Sequence, residues 1–144
     1  MQLHQSIPII SFGDTNVLNI TYERNPGAAF SILEGKQLFL ILFTAVVIVV
    51  MLYLMLSKRV KKPTYIWSMS LIVAGGIGNL IDRIRVKEVV DYIKFEPINF
   101  PIFNFADICI VIGGILFVIC FCFLDEKKKP IRDDIKVKDE NDKA

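Results

Sequence analysis

The sequence predicts an α-helical membrane bundle of three spans with a small extracytoplasmic β-hairpin or platform. Hydrophobic residues make up 53% of the 144 residues, and charged residues make up only 22%. The mean hydropathy is +0.51, and the apolar residues lie in long runs instead of on one face of otherwise polar helices. A formal net charge of +2 leaves no large basic surface, so nucleic acid is not expected as a partner.

Each of the three apolar runs is long enough to cross a membrane. Residues 38–56 contain Thr44 as their only clearly polar residue and, at about 1.5 Å per residue, nearly cross a hydrocarbon core of about 30 Å. Residues 65–84 become polar towards their end, and residues 105–124 carry Asp107 near their start. The second and third spans therefore place their polar groups at the same membrane face.

Basic residues near the span ends predict the orientation, because Lys and Arg resist translocation. The face that holds most of them should be cytoplasmic, so the polar ends of the second and third spans should face the opposite side. The basic residues that follow the first and third spans are Lys58, Arg59, Lys61, Lys62, Lys127, Lys128, Lys129 and Arg132.

The segments outside the spans differ in composition. Residues 6–12 and 17–22 are rich in β-branched and aromatic residues and are separated by turn-forming residues, which predicts a hairpin within an extracytoplasmic segment 1–37. Residues 125–144 contain seven acidic and seven basic side chains and almost nothing apolar. We expect them to form a disordered cytoplasmic tail after a single membrane domain of residues 1–124.

Carboxylates are the expected carriers of any chemistry. The three cysteines have neither zinc-site nor redox spacing, and His4 is the single histidine, so no metal site or cofactor is expected. Asp107 lies about one turn into an apolar helix, where an ionised carboxylate costs several kcal/mol unless it is protonated, paired or facing water. One interpretation is structural: Asp107 reaches the interface or caps its helix together with Asn104.

Asp91 suggests a second interpretation of Asp107, in which the two residues act together in catalysis. It lies in the segment VVDYIKF, whose apolar neighbours would seat it at the membrane surface, although a lone loop aspartate is usually just solvated. If Asp91 and Asp107 converge, they cannot both ionise easily and would share a proton. One ionised and one protonated carboxyl group are what an aspartic hydrolase uses to activate water and polarise the scissile carbonyl.

A further polar group lies at the end of the second span. Asn79, Asp82 and Arg83 stand at i, i+3 and i+4, so they share one helix face and can hydrogen-bond or ion-pair with one another. The structural alternative is an interfacial ion pair between Asp82 and Arg83, which contributes little to stability when it is solvated.

Four ordered segments closely resemble those of the lipoprotein signal peptidases, also called signal peptidase II, which are bacterial intramembrane aspartic proteases. The resemblance covers residues 6–124. The segments are ERNPGAAFSIL at 23–33, GGIGNLIDRI at 75–84, VVDYIKF at 89–95 and FNFAD at 103–107.

The resemblance implies that Asp91 and Asp107 form a catalytic dyad that removes the signal peptide of a prolipoprotein. The substrate would carry diacylglycerol on the cysteine that follows the cleavage site. It also implies a multi-pass protein of the bacterial cytoplasmic (inner) membrane, in contact with membrane lipid, whose site faces the periplasm or the cell exterior. No feature of the sequence indicates an oligomer, so a monomer is expected. The residues that would line or brace the substrate site are Asn25, Asn79, Asp82, Arg83 and Asn104.

One departure from the family pattern concerns the first span. Family members usually have four spans, and the first precedes the hairpin and carries an Asp-x-x-Thr-Lys-like motif. This chain begins almost directly with the segment that follows that span. Because both proposed catalytic aspartates are present, we expect an incomplete version of an active enzyme. The alternative is a truncated, inactive remnant that binds lipoproteins.

A small proton-coupled transporter or assembly subunit is the rival from another class, since intramembrane carboxylates also occur in proton relays. A relay should continue towards the cytoplasmic face. Residues 65–74 and 109–124 contain no acidic or basic side chain. The polar path therefore ends in one leaflet, which favours hydrolysis of an anchored substrate over conduction.

Overall fold

The computed structural model describes residue 3, residues 5–27 and residues 32–124; the predicted tail lies outside the described residues. These residues form three helices and three strands. In chain order they are β1 (Ile7–Phe12), β2 (Thr15–Asn25), α1 (Gln37–Leu56), α2 (Pro63–Val86), β3 (Val89–Phe95) and α3 (Phe105–Ile119), which continues into a π-helical turn (Cys120–Leu124).

All three helices are long and apolar enough to span a membrane, which confirms the predicted fold class. Helix α1 has 20 residues and α2 has 24, whereas α3 reaches 19 residues when its π-helical turn is counted to Phe123. Pro63 stands in the first turn of α2, where a missing N–H removes no intrahelical hydrogen bond. The protein is therefore a multi-pass membrane protein whose spans begin and end within about two residues of the predicted positions.

Helix α2 lies against both other helices and packs most closely on α3. A Cβ atom on Gly75 would collide with the backbone oxygen of Ala106, and one on Gly113 would lie 2.7 Å from the backbone oxygen of Ser68. Glycine at both positions lets the two backbones approach, as is common where membrane helices cross. The α2–α3 pair thereby brings the polar end of α2 beside the start of α3.

The predicted hairpin forms the first two strands of a three-stranded antiparallel sheet in the order β1-β2-β3. Strand β2 runs to Asn25, beyond the predicted end of the hairpin at residue 22. Strand β3 was not expected as a strand, because its partner β2 is separated from it by α1 and α2 in the sequence. In the β2–β3 register Glu23 faces Asp91, and Asn25 faces Val89.

Short connections hold the sheet against the ends of α2 and α3. Lys87 takes a left-handed conformation with φ 65° and ends α2, and β3 begins two residues later. The chain then returns to α3 past Phe103, whose backbone oxygen accepts from the N–H groups of Tyr92 at 3.0 Å and Ile93 at 2.8 Å. Strand β3 and the first turn of α3 consequently lie at the same end of the bundle.

Candidate active site

The first turn of α3 is fixed by a reciprocal cap. Asn104 is the N-cap residue in extended conformation, and its side-chain oxygen accepts from the backbone N–H of Asp107 at 3.1 Å. In return, Asp107 Oδ2 accepts from the backbone N–H of Asn104 at 3.1 Å. This capping box satisfies two N–H groups that a helix start leaves free. The predicted cap of Asp107 with Asn104 is thus confirmed, and Asp107 Oδ1 takes no part in it.

Two amide side chains connect Asp107 to Asp91. Asn104 Nδ2 donates to Asp91 Oδ1 at 2.8 Å and to Asn79 Oδ1 at 3.1 Å. Asn79 Nδ2 in turn donates to Asp107 Oδ1 at 2.8 Å. The two carboxylates come from strand β3 and the first turn of α3, and the two amides come from helix α2 and the N-cap of α3. We call Asn79 and Asn104 the amide bridge. The bridge fixes the separation and orientation of the two carboxylates.

Asp91 is buried, with only 3% of its surface exposed. Its Oδ2 accepts from Asn25 Nδ2 at 3.0 Å, so both of its oxygens receive an amide N–H. Burial raises the pKa of Asp91 above its ordinary value; the hydrogen bonds from Asn25 and Asn104 oppose that rise, the charge of Asp107 adds to it, and the positive charge of Arg83 opposes it. Asp91 therefore keeps its proton to higher pH than an exposed aspartate.

Arg83 fixes the chain that follows β2. Its Nη2 donates to the backbone oxygen of Gly27 at 3.0 Å, and its Nη1 donates to the backbone oxygen of Asn79 at 3.4 Å. Asn25 Oδ1 accepts from the backbone N–H of Gly27 at 2.9 Å. Arg83 is 7% exposed, and its Nε has no partner among the described residues. A buried guanidinium beside two carboxylates gives the site a fixed positive charge.

Asp82 is the predicted site residue that lies apart from the two carboxylates. Its Oδ2 accepts from the backbone N–H of Val90 at 3.2 Å, which ties the end of α2 to β3 one residue before Asp91. No ion pair joins Asp82 to Arg83 within the part of the chain that the structure describes, so the interfacial pair considered from the sequence is not formed. Asp82 therefore contacts the strand that carries Asp91 and not the amide bridge.

Sequence reasoning missed the groups that come from the backbone and from one tyrosine. The backbone oxygen of Gly27 and the N–H of Val90 have no side-chain signature that a spacing could reveal. The Tyr92 hydroxyl accepts from the backbone N–H of Phe105 at 3.2 Å and so satisfies a further free donor at the start of α3. VVDYIKF is rich in β-branched and aromatic residues, but its apolar and polar residues do not alternate, so the local pattern gave no signal for the position of this tyrosine.

Sequence comparison finds the same family along most of the chain. A family model described as signal peptidase (SPase) II matches residues 1–123. The curated lipoprotein signal peptidase of Enterococcus faecalis is 42% identical over 123 residues, which cover 82% of this chain and 76% of that protein. That of Lactococcus lactis subsp. lactis is 44% identical over 124 residues, which cover 83% of this chain and 82% of that protein.

Two solved structures share the fold. A bacterial membrane enzyme solved by the in meso method at 2.3 Å resolution has a TM-score of 0.80 and 35% sequence identity, covering 92% of this chain and 79% of that one. A second, solved by the same method at 1.9 Å, has a TM-score of 0.74 and 36% identity, covering 85% of this chain and 78% of that one. With the family match, these likenesses show that the chain belongs to the signal peptidase II family, the lipoprotein signal peptidases.

Proposed function

We propose that the protein is an intramembrane aspartic endopeptidase that removes the signal peptide from diacylglyceryl-modified prolipoproteins, with Asp91 and Asp107 as the catalytic pair. The observation that carries this proposal is the amide bridge, because Asn79 and Asn104 hold carboxylates from two different elements at one end of the bundle. A purely structural cap on α3 would need Asn104 and Asp107 but would not need Asp91 or Asn79.

The chemistry follows from keeping one carboxyl group protonated and the other ionised. The ionised group takes a proton from water, and the resulting hydroxide attacks the carbonyl carbon of the scissile peptide bond. The protonated group donates a hydrogen bond to the carbonyl oxygen and stabilises the negative charge that develops there. The carboxyl group that took the proton from water then gives it to the nitrogen of the scissile bond, and the C–N bond breaks to release the two products. The raised pKa of Asp91 supports this division of roles, because Asp91 can hold a proton to higher pH than an exposed carboxyl group.

The substrate class is inferred from the relatives. Those of Enterococcus faecalis and Lactococcus lactis are named lipoprotein signal peptidases, so we infer a prolipoprotein substrate for this chain. Cleavage before the lipidated cysteine would place the diacylglycerol in the membrane and the scissile bond at its surface. A site built at one end of membrane-spanning helices suits a substrate that is anchored in the same leaflet.

Asn25, Arg83 and Gly27 would hold the edge of the substrate site. Asn25 donates to Asp91 and accepts from the Gly27 N–H, and Arg83 donates to the Gly27 oxygen, which supports a place for this segment beside the substrate. Asp82 would act one step further away, by positioning β3 through the Val90 N–H. A cluster of basic residues at the opposite end of α1 and α2 supports a site that faces the periplasm or the cell exterior from a bacterial cytoplasmic membrane.

The test is cleavage of a diacylglyceryl-modified prolipoprotein by the purified full chain in lipid, compared with Asp91→Asn and Asp107→Asn variants. Each variant should insert normally and lose turnover, because it lacks one of the two ionisable carboxyl groups of the proposed pair. Asp14→Asn is the matched control, since Asp14 is exposed in the hairpin turn and the chemical change is the same. A rate unchanged by either site variant would remove that residue from the pair, and thermal unfolding in detergent would identify a variant that merely misfolds.

A further inference from the structure

Gln37 joins helix α1 to the chain that follows β2. It is the first residue of α1, and its Nε2 donates to the backbone oxygen of Pro26. Residues 38–40, which complete the first turn, are apolar. A glutamine at the end of a membrane span is free to extend into water, but here its Oε1 is buried. The amide group of Gln37 therefore lies inside the protein and contacts the chain next to the candidate site.

The residues on either side of Pro26 are held by the site itself. Asn25 donates to Asp91 Oδ2 at 3.0 Å, and the backbone oxygen of Gly27 accepts from Arg83 Nη2 at 3.0 Å. Asn25 Oδ1 also accepts from the Gly27 N–H at 2.9 Å, which closes a turn around Pro26. Strand β3, helix α1 and helix α2 therefore each hold one of three successive residues.

One peptide group connects the contact of Gln37 to that of Asn25. The Pro26 oxygen and the Gly27 N–H belong to the same planar, trans peptide group, so holding the oxygen also fixes the direction of the N–H. That N–H donates to Asn25 Oδ1, and an amide side chain whose oxygen is held presents its NH2 group in a fixed direction. The NH2 group of Asn25 donates to Asp91. A continuous path of hydrogen bonds therefore runs from α1 to Asp91.

We propose that Gln37 is a positioning residue that holds the amide of Asn25 against Asp91 through the peptide group of Pro26. Arg83 does not replace it, because the Gly27 oxygen that Arg83 holds belongs to the next peptide group. The effect of Gln37 on cleavage rests on the proposed function of Asp91, whereas the hydrogen-bond path itself does not.

The ionisation of Asp91 reports on this path. Burial raises the pKa of Asp91, and the hydrogen bond from Asn25 opposes that rise, so an Asn25 side chain that moves away raises the pKa further. The charged groups that face Asp91 from other elements are Asp107 on α3, Arg83 on α2 and Glu23 opposite it on β2. A substitution of an uncharged residue on α1 leaves all three in place.

The test is Gln37→Met in the purified full chain in lipid, since Met is similar in length and suits a helix but donates no hydrogen bond. The isotope-labelled carboxyl resonance of Asp91, identified by its absence from Asp91→Asn, gives the titration midpoint by NMR without requiring cleavage. Gln37→Met should raise this midpoint by about 0.5 pH unit or more. The limb of the kcat/KM profile that Asp91 governs should move in the same direction. Gln37→Leu, which also lacks a donor, replaces the Met variant if thermal unfolding shows that the latter misfolds.

Two further variants separate this path from a general loosening of α1. Ser57→Ala removes a side-chain hydrogen bond to the Leu54 backbone oxygen at the other end of the same helix, and it should leave the midpoint of Asp91 unchanged. Asn25→Ala removes the last link of the path, so adding Gln37→Met to it should move the midpoint no further.

Three results would overturn the proposal: a midpoint that Gln37→Met leaves in place, an equal shift in Ser57→Ala, or additive shifts in the double variant. A failure of the proposed function has a different signature. The unchanged protein would then not cleave the prolipoprotein, while the midpoint of Asp91 would still decide whether Gln37 holds Asn25.

Discussion

Helix α1 and the α2–α3 pair cross the membrane in different ways. Helix α1 buries Leu40 and Ile48, and its other described side chains are at least partly exposed. Helix α2 instead buries two glycines, Asn79 and Arg83, and it approaches α3 so closely that side chains at Gly75 and Gly113 would collide with backbone oxygens. Because lipid solvates apolar side chains as well as a neighbouring helix does, α1 needs only hydropathy, whereas the α2–α3 pair depends on fit and on polar contacts.

Breaking the amide bridge should have the largest effect. Asn104→Ser keeps an N-cap oxygen for the Asp107 N–H, since Ser and Asn are comparable caps, but it removes the amide group that donates to Asp91 and Asn79. Misplacing a reacting group by about 1 Å costs about 100-fold in rate. We therefore expect cleavage to fall by about 100-fold or more. The free energy of unfolding in detergent should fall by only about 1–3 kcal/mol, because Asp91 Oδ1 and Asn79 Oδ1 lose a buried donor.

A variant at the same helix start that keeps the amide bridge makes this prediction sharper. Tyr92→Phe removes the hydroxyl that accepts from the Phe105 N–H at the same helix start, and it leaves the amide bridge intact. It should lower stability by about 1 kcal/mol and change the rate far less than Asn104→Ser does. Equal losses of rate in the two variants would mean that the start of α3 acts only as a structural cap.

The contact between α2 and α3 should give the next largest effect. Gly75→Ala and Gly113→Ala each place a methyl group against backbone, which cannot move aside as a side chain can. Overpacking of this kind costs about 1–3 kcal/mol. Gly114→Ala is the matched control, because nothing lies within 4 Å of its added methyl group, and the helix should gain slightly from the better propensity of Ala. Unfolding in a denaturing detergent measures all three, and a Gly75→Ala protein as stable as Gly114→Ala would contradict this packing.

The pH dependence of cleavage tests the polar end of the α2–α3 pair without changing the contact between the two helices. Burial raises the pKa of Asp91, so its contribution to folding stability is present below the ordinary value near 3.8 and is lost as the pH rises through the raised value. Asn25→Ala removes a hydrogen bond that favours the ionised form, so the pKa of Asp91 should rise further. The limb of the kcat/KM profile that Asp91 governs should then move to higher pH.

Asn16→Ala is the control for that profile. Asn16 makes a hydrogen bond to Ser11 at 2.8 Å in the exposed hairpin, so its loss removes an amide from the same sheet without touching Asp91. Its profile should overlay that of the unchanged protein. A profile for Asn25→Ala that also overlays it would show that the ionisation of Asp91 does not limit cleavage.

The difference between the two regions also explains what the sequence could predict. The three spans follow from local hydropathy, and the capping box follows from the spacing of Asn104 and Asp107. Strand β3 could not be recognised from local pattern alone, since it pairs with β2 across two intervening helices. For the same reason the sequence placed Asp91 near Asp107 only as one of two interpretations, and the contacts from Gly27 and Val90 come from backbone atoms that carry no residue signature.

The smallest effect is expected on the lipid-facing side of α1. Val49 is 64% exposed, and Val49→Ala should change stability by less than about 0.5 kcal/mol, because lipid chains refill the space that the lost methyl groups occupied. Its neighbour Ile48 is 8% exposed and packs on α2, where its side chain would lie 3.4 Å from a Cβ atom on Gly76. Ile48→Ala should therefore cost about 2 kcal/mol, since the cavity is enclosed by protein. Similar losses for the two variants would show that α1 is covered by a partner on its outer face and that its hydropathy alone does not explain its position.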